Sequence, residues 1–168
     1  MQAGAHHLLR FDERFAQRTD NPAGDDVNWL DFSHALTFGH AVRQTCTRWP
    51  QLWPQGLLQM ALFVGRNTPY LAPGVDSAAA QAAWAVDDAE GFDTFARTRL
   101  LDHGIGLPIY PVHWLKTWLA VRDSIALGLP QPGANALRAA VRRLLSAQFK
   151  QRHALRSARQ AQHFVERE

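Results

Sequence analysis

The sequence predicts an all-α chain, a single helical bundle of about five to seven helices closed by a long basic C-terminal helix. Three observations carry that reading. Alternating β-branched runs are absent; Ala, Leu, Gln and Arg recur at three- and four-residue spacing; and Pro and Gly fall in clusters that divide the chain into helix-length pieces.

Taken in order, residues His6 to Arg18 read as a first helix with Leu8, Leu9, Phe11 and Phe15 largely to one side. The turn-rich run Thr19-Asp20-Asn21-Pro22-Ala23-Gly24 ends it. Asp25 or Asp26 is placed to cap a second helix to Arg48, because a carboxylate there accepts otherwise orphaned N–H bonds. From Trp29 to Val42 its only formal charge is Asp31, so it reads as central, with Gly39 the place where a neighbour comes closest. Pro50 and Pro54 suit the start of a third helix through Val64. The stretch from Trp49 to Val64 is too short and too interrupted to span a bilayer, and reads as a buried helix.

Asp76 or Ser77 caps an Ala-rich helix through Trp84 and Val86, and Asp87 to Glu90 mark its end or a new start toward Leu100. Two glycines and two prolines make 103–111 a loop. Val112 to Leu127 follows as a helix with Trp114, Leu115, Trp118, Leu119 and Val121 inward and Lys116 outward, stopped by Gly128 and Pro130. Asn135 to Val165 forms the last helix, its apolar positions thinning after Leu155.

With 46% hydrophobic and 20% charged residues, six Trp and nine Phe in 168 residues, the chain suits one globular domain, 1–168, either alone or as part or subunit of a larger protein. The single cysteine, Cys46, excludes an intrachain disulfide and a cysteine-based metal cluster. No apolar leader occupies the first ten residues, so the expected setting is cytoplasmic, with no membrane attachment. Residues 132–168 hold eight Lys or Arg against two Glu, whereas the preceding 131 hold ten against thirteen acids. The basic character therefore belongs to the tail.

Chemistry-bearing residues fall in three groups. Histidines 34, 40, 103 and 113 lie in or beside apolar segments, where an imidazole needs either a hydrogen-bonding partner in the core or a job. Asp31 stands one turn before His34 and so can orient it, while His40 is rotated away. Neither Glu-x-x-His nor His-Glu-x-x-His occurs, so no metal site is expected. Arg43 and Arg48 lie near Cys46, which is either activated by them or a small core residue. In the tail, Arg138, Arg142, Arg143, Lys150, Arg152, Arg156 and Arg159 form a solvated face, an interaction helix or a phosphate-binding one; the acidic remainder argues against nucleic acid. Trp49, Trp53, Phe63, Tyr70, Trp84, Tyr110, Trp114 and Trp118 supply core or pocket lining, and Arg66 with Asn67 at a helix end either cap and pair locally or anchor a ligand's polar substituent.

Two segments, Trp29-Leu30-Asp31-Phe32-Ser33-His34-Ala35-Leu36-Thr37-Phe38-Gly39-His40-Ala41 running on to Leu58-Gln59-Met60-Ala61-Leu62-Phe63-Val64-Gly65-Arg66-Asn67, and Val112-His113-Trp114-Leu115-Lys116-Thr117, resemble the C-terminal part of bacterial questin-oxidase-like proteins. Some of those carry a Rieske iron–sulfur domain elsewhere in a longer chain. The resemblance implies an oxidoreductase-type helical domain acting on an oxygenated aromatic or polyketide-like molecule. His34, supported by Asp31, and His113 would be its catalytic positions, and Arg66, Asn67 and His103 its ligand contacts. One cysteine cannot complete the two-Cys, two-His set of a Rieske cluster, and no Gly-x-Gly-x-x-Gly segment is present. A redox partner domain or subunit is then implied, and the cofactor is left unspecified. The reading from a different class is a non-catalytic interaction or nucleic-acid-binding module that uses the basic C-terminal helix.

Overall fold

The computed structural model of the protein describes residues 1–18, 26–103, 105, 109–147, 158 and 161–166. The chain folds into helices α1 (Gln2–Arg10), α2 (Glu13–Gln17), α3 (Trp29–Arg48), α4 (Trp53–Asn67), α5 (Ser77–Ala83), α6 (Ala89–Leu101), α7 (Ile109–Ala126) and α8 (Gln131–Ser146). Single 3-10 turns precede α4 at Pro50–Leu52 and follow it at Thr68–Tyr70. The described residues contain no β-strand, so the all-α class holds, but eight named helices exceed the expected five to seven.

Part of the excess arises at the N-terminus, where one helix was expected and two form. Phe11 leaves the helical path and makes an isolated antiparallel bridge to Leu71. The backbone groups released by the break are satisfied there: Asp12 N–H donates to the Tyr70 carbonyl at 3.0 Å, and Ala72 N–H to that of Arg10 at 2.7 Å. Asp12 then accepts from Arg14 N–H at 3.1 Å and starts α2.

For α3 the cap is Asn28 rather than Asp25 or Asp26. Its side chain accepts from Leu30 N–H, and the Asp31 carboxylate accepts from Asn28 N–H, a reciprocal capping box. Asp76 and Asp88 cap α5 and α6 by accepting from Ala79 N–H and Glu90 N–H, and Gly128, at φ 82°, ends the segment after α7. Helix α7 begins at Ile109, earlier than expected, with Pro111 in its first turn, where a missing N–H costs nothing.

The long C-terminal helix expected over 135–165 is not continuous. Helix α8 starts at Gln131, stops at Ser146, and Ala147 is extended. The Arg99 side chain donates to the Leu145 carbonyl at 3.1 Å and so satisfies one of the acceptors left open at that end. Residues 161–165 are helical again. Lys150, Arg152, Arg156 and Arg159 lie outside the described residues.

Helix α3 packs against α7, α4 and α1, while α8 packs against α1 and α7, with α5 and α6 bracing its flanks. The result is a layer of α4, α3 and α7 laid over α1 and α8. Between the layers lies the core: Leu8, Phe32, Leu36, Trp114, Leu137 and Leu144 are all but inaccessible to solvent. Gly39 is a point of close approach, as expected, because a Cβ there would lie 2.9 Å from Met1 and 3.2 Å from Met60. Gly56 is tighter still, 2.7 Å from Val42 and 3.0 Å from Cys46.

Two readings of burial fail. The segment from Trp49 to Val64 is not buried: only Gly56, Met60, Phe63 and Val64 are partly covered, and Leu57, Leu58 and Leu62 face solvent. On α7, Trp114, Trp118 and Val121 are inward, but Leu115 and Leu119 are exposed. A helix free of charge was taken for one surrounded by protein, whereas α4 has protein on one side alone. No described helix is long and apolar enough to cross a membrane.

Candidate functional site

The capping box that starts α3 fixes Asp31, and Asp31 fixes the end of α4. Its Oδ2 accepts from Asn28 N–H at 2.9 Å, its Oδ1 pairs with Arg66 at 2.9 Å, and its carbonyl accepts from the Asn67 side chain at 3.4 Å. Asp31 was expected to orient His34; the carboxylate is instead engaged by Asn28 and Arg66 and reaches His34 only through its field. Arg66 is thus half of an ion pair, though its side chain remains 54% exposed. Asn67 is buried, and its Oδ1 has no hydrogen-bond partner.

Asp31, His34 and Phe38 recur at spacings of three and four and share the side of α3 that looks away from the core. Each meets a neighbouring helix: Asp31 meets Arg66 of α4, Phe38 stacks on Phe63 of α4 at 5.1 Å, and His34 meets His113 of α7. The floor of a groove between α4 and α7 is therefore α3.

The two imidazoles lie with ring centroids 5.0 Å apart and planes at 63°. His113 Nδ1–H donates to the Ile109 carbonyl one turn back at 2.7 Å, which leaves its Nε2 lone pair unclaimed. Burial, chiefly, and then the positive charge of Lys116 hold His34 below its ordinary pKa; His113 and Arg66 add to this and Asp31 opposes it. His34 is consequently neutral at pH 7. Two imidazoles beside Lys116 thus offer hydrogen-bond acceptors next to a positive charge. Lys116 was read as a solvent-facing lysine and is exposed; what that reading left out is its place one turn after His113, close enough to bear on His34.

His103 is not part of this pair. Its Nδ1 accepts from Ile105 N–H at 3.0 Å within its own loop, as a residue that stabilises a turn. His40 is structural as well: Gln44 donates to its Nε2, its Nδ1–H donates to Ser124 Oγ at 2.8 Å, and Ser124 reaches Met1 Sδ at 3.3 Å. Cys46 is buried against Gly56. Arg43 gives its guanidinium to the Ser124 and Leu127 carbonyls and Arg48 stacks on Trp49, so neither cation is committed to the thiol. Among the described residues no three His, Cys, Asp or Glu side chains are grouped to hold a metal.

The tail arginines divide. Arg143 donates to the Leu8 and Phe11 carbonyls and to Glu13, and Arg142 to the Ala85 carbonyl, so both bind this chain. Val141 and Leu144 are wholly buried and offer no apolar face to a partner protein; Phe149 lies outside the described residues. Two clefts of about 490 Å³ exist elsewhere, one walled by Trp84, Phe92, Phe95 and Arg142, the other by His6, Asp76, Gln81 and Asn135. Neither includes His34 or His113. Comparison with protein-family models, with curated proteins and with solved structures finds nothing that matches this chain.

Proposed function

We propose that the groove between α4 and α7 binds an oxygenated aromatic, polyketide-like molecule, and that the chain serves as the substrate-holding part of an oxidoreductase whose redox chemistry is supplied by a partner domain or subunit. The chemical class comes from the resemblance to questin-oxidase-like proteins. The observation that carries the reading is the meeting of His34 and His113, imidazoles 79 positions apart in the chain, at 5.0 Å.

In this reading a phenolic hydroxyl of the ligand donates to His113 Nε2 or to His34. The proton passes to the imidazole, and the phenolate oxygen is left beside Lys116. Phe38 and Phe63, already stacked, supply an aromatic edge against which a second ring packs. Arg66 keeps N–H groups in solvent beyond those given to Asp31, and these reach a carbonyl or carboxylate substituent.

A dihydroxyanthraquinone tests this directly, because its visible band moves to longer wavelength when a phenol ionises. Binding to the protein should shift that band at a pH where the free dye is neutral, and His34→Ala and His113→Ala should each remove the shift. A folded His34→Ala protein that retains full affinity and the full shift refutes the reading.

A further inference from the structure

Helix α4 uses only one side to hold itself in place. Gly56, Met60, Phe63 and Asn67 recur at spacings of four, three and four and meet α3. On the other sides Leu57, Leu58 and Leu62 are 59%, 62% and 59% exposed, and Trp49 and Trp53 add to them at the start of the helix. The same layer continues across α3 to α7, where Val112 is 58% exposed and Ile109, Leu115 and Leu119 lie open beside it. Scattered exposed leucines are ordinary, but apolar patches beyond a few hundred Å² on one side of a protein mark an interaction surface.

We propose that a second copy of this chain docks on the outer side of the layer formed by α3, α4 and α7. Two observations select that occupant. The first is area. The exposed fractions of these nine residues amount to roughly 900 Å² of mostly apolar surface, comparable to the ~800 Å² that each partner gives to an interface of standard size. The second is charge. From Trp49 to Gly65 there is no Asp, Glu, Lys, Arg or His, and the polar positions are the glutamines 51, 55 and 59. In a two-fold interface each patch meets itself, so a charge-free strip can lie on its own copy without like-charge repulsion. Within the strip itself a charged partner finds no group to pair with; Arg66, already paired with Asp31, and Lys116 lie outside it. A helix that lies on a membrane surface carries Lys or Arg along its polar side, which this strip lacks. Docking of the copy covers the outer side of this layer with the same layer of the second chain. The copy would roof the His34 groove, but sedimentation reads the dimer with no ligand present, so its failure and the failure of the ligand reading are distinguishable.

Sedimentation velocity on the whole chain, across a wide concentration range, reads the outcome. A dimer is expected for the natural chain, with loss of the dimer to monomer in Leu58→Glu and Leu62→Glu, both at positions that are 62% and 59% exposed. Leu58→Gln provides a milder version, circular dichroism confirms that each variant folds, and Leu101→Glu on α6, at an 87% exposed position, should leave the dimer intact. A natural chain that stays monomeric throughout overturns the proposal, as does a dimer that survives both glutamate substitutions. Co-sedimentation of a monomeric natural chain with phosphatidylcholine vesicles, abolished by Leu58→Glu, would assign the surface to a lipid instead and equally overturns it.

Discussion

Replacing Arg143 by Ala should destabilise the fold far more than any other change in the basic segment that the structure describes. The side chain is 11% exposed, and its guanidinium reaches back across the molecule to donate to Leu8 O at 2.7 Å, Phe11 O at 2.8 Å and Glu13 Oε1 at 3.2 Å, while lying 5.2 Å from the ring centre of Trp29. Burial lowers its pKa from the usual arginine value and Glu13 opposes that fall, a sign that the charge is held by its acceptors rather than by water. Alanine leaves the acceptors at the break between α1 and α2 without their charged donor. Hydrogen bonds from a charged group are worth about 1.5–3 kcal/mol each, and breaking a buried set costs about 3–5 kcal/mol, so a loss of about 3 kcal/mol is expected. For a domain of this size each kcal/mol moves the midpoint by about 2–4 °C, which places the Arg143→Ala protein roughly 6–12 °C below the natural chain in a thermal melt followed by circular dichroism. Lys should recover little, because an ammonium cannot span both carbonyls with a planar fork. A melt within about 2 °C of the natural chain would refute the assignment of Arg143 as the tie between the chain's two ends.

Three further outcomes follow from the same coordinates. Gly56→Ala should cost about 1–3 kcal/mol, since its Cβ would lie 2.7 Å from Val42, while Gly65→Ala, with nothing within 4 Å, should raise helix stability by up to about 1 kcal/mol; paired urea titrations read both. Leu137→Ala should lose about 2–5 kcal/mol from a fully buried position, and Leu101→Ala close to nothing, in the same titrations. The lowered pKa of His34 means that the unfolded chain takes up a proton there near about pH 6.5 while the folded chain does so only at lower pH. Its contribution to stability is therefore fully present above that pH and is lost as pH falls through the interval down to the folded value. The midpoint of His34→Gln should fall less steeply than that of the natural chain across that interval, and parallel curves would contradict the shift.

The helices were legible because periodicity and caps act locally: Asp76 and Asp88 sit at the starts of α5 and α6, and a glycine with positive φ follows α7 where the sequence placed one. What escaped was set by distant partners. The split between α1 and α2 needs the Tyr70 and Ala72 backbone, and the end of α8 needs Arg99, neither of which a window of neighbouring residues contains. Asp31 was visible as a carboxylate one turn from His34, yet the capping box and Arg66 claim it first, because a backbone N–H and a guanidinium offer charge-assisted partners at closer range. His34 and His113 were picked out among four histidines in or beside apolar segments and again through the resemblance of their segments, and their meeting depends on how α3 and α7 cross. Burial of α4 was misjudged for a plain reason: absence of charge records what a surface avoids, not what covers it.

The bonds from Arg143 to Leu8 and Phe11 join residues up to 135 positions apart, and α1 finds its principal neighbour in α8. A growing chain on the ribosome therefore carries the side of α1 that faces α8 without its eventual cover until residue 145 or so has emerged, and closing so long a loop slows the final collapse. Shielding of that first segment during synthesis is thus a requirement written into the order of the helices.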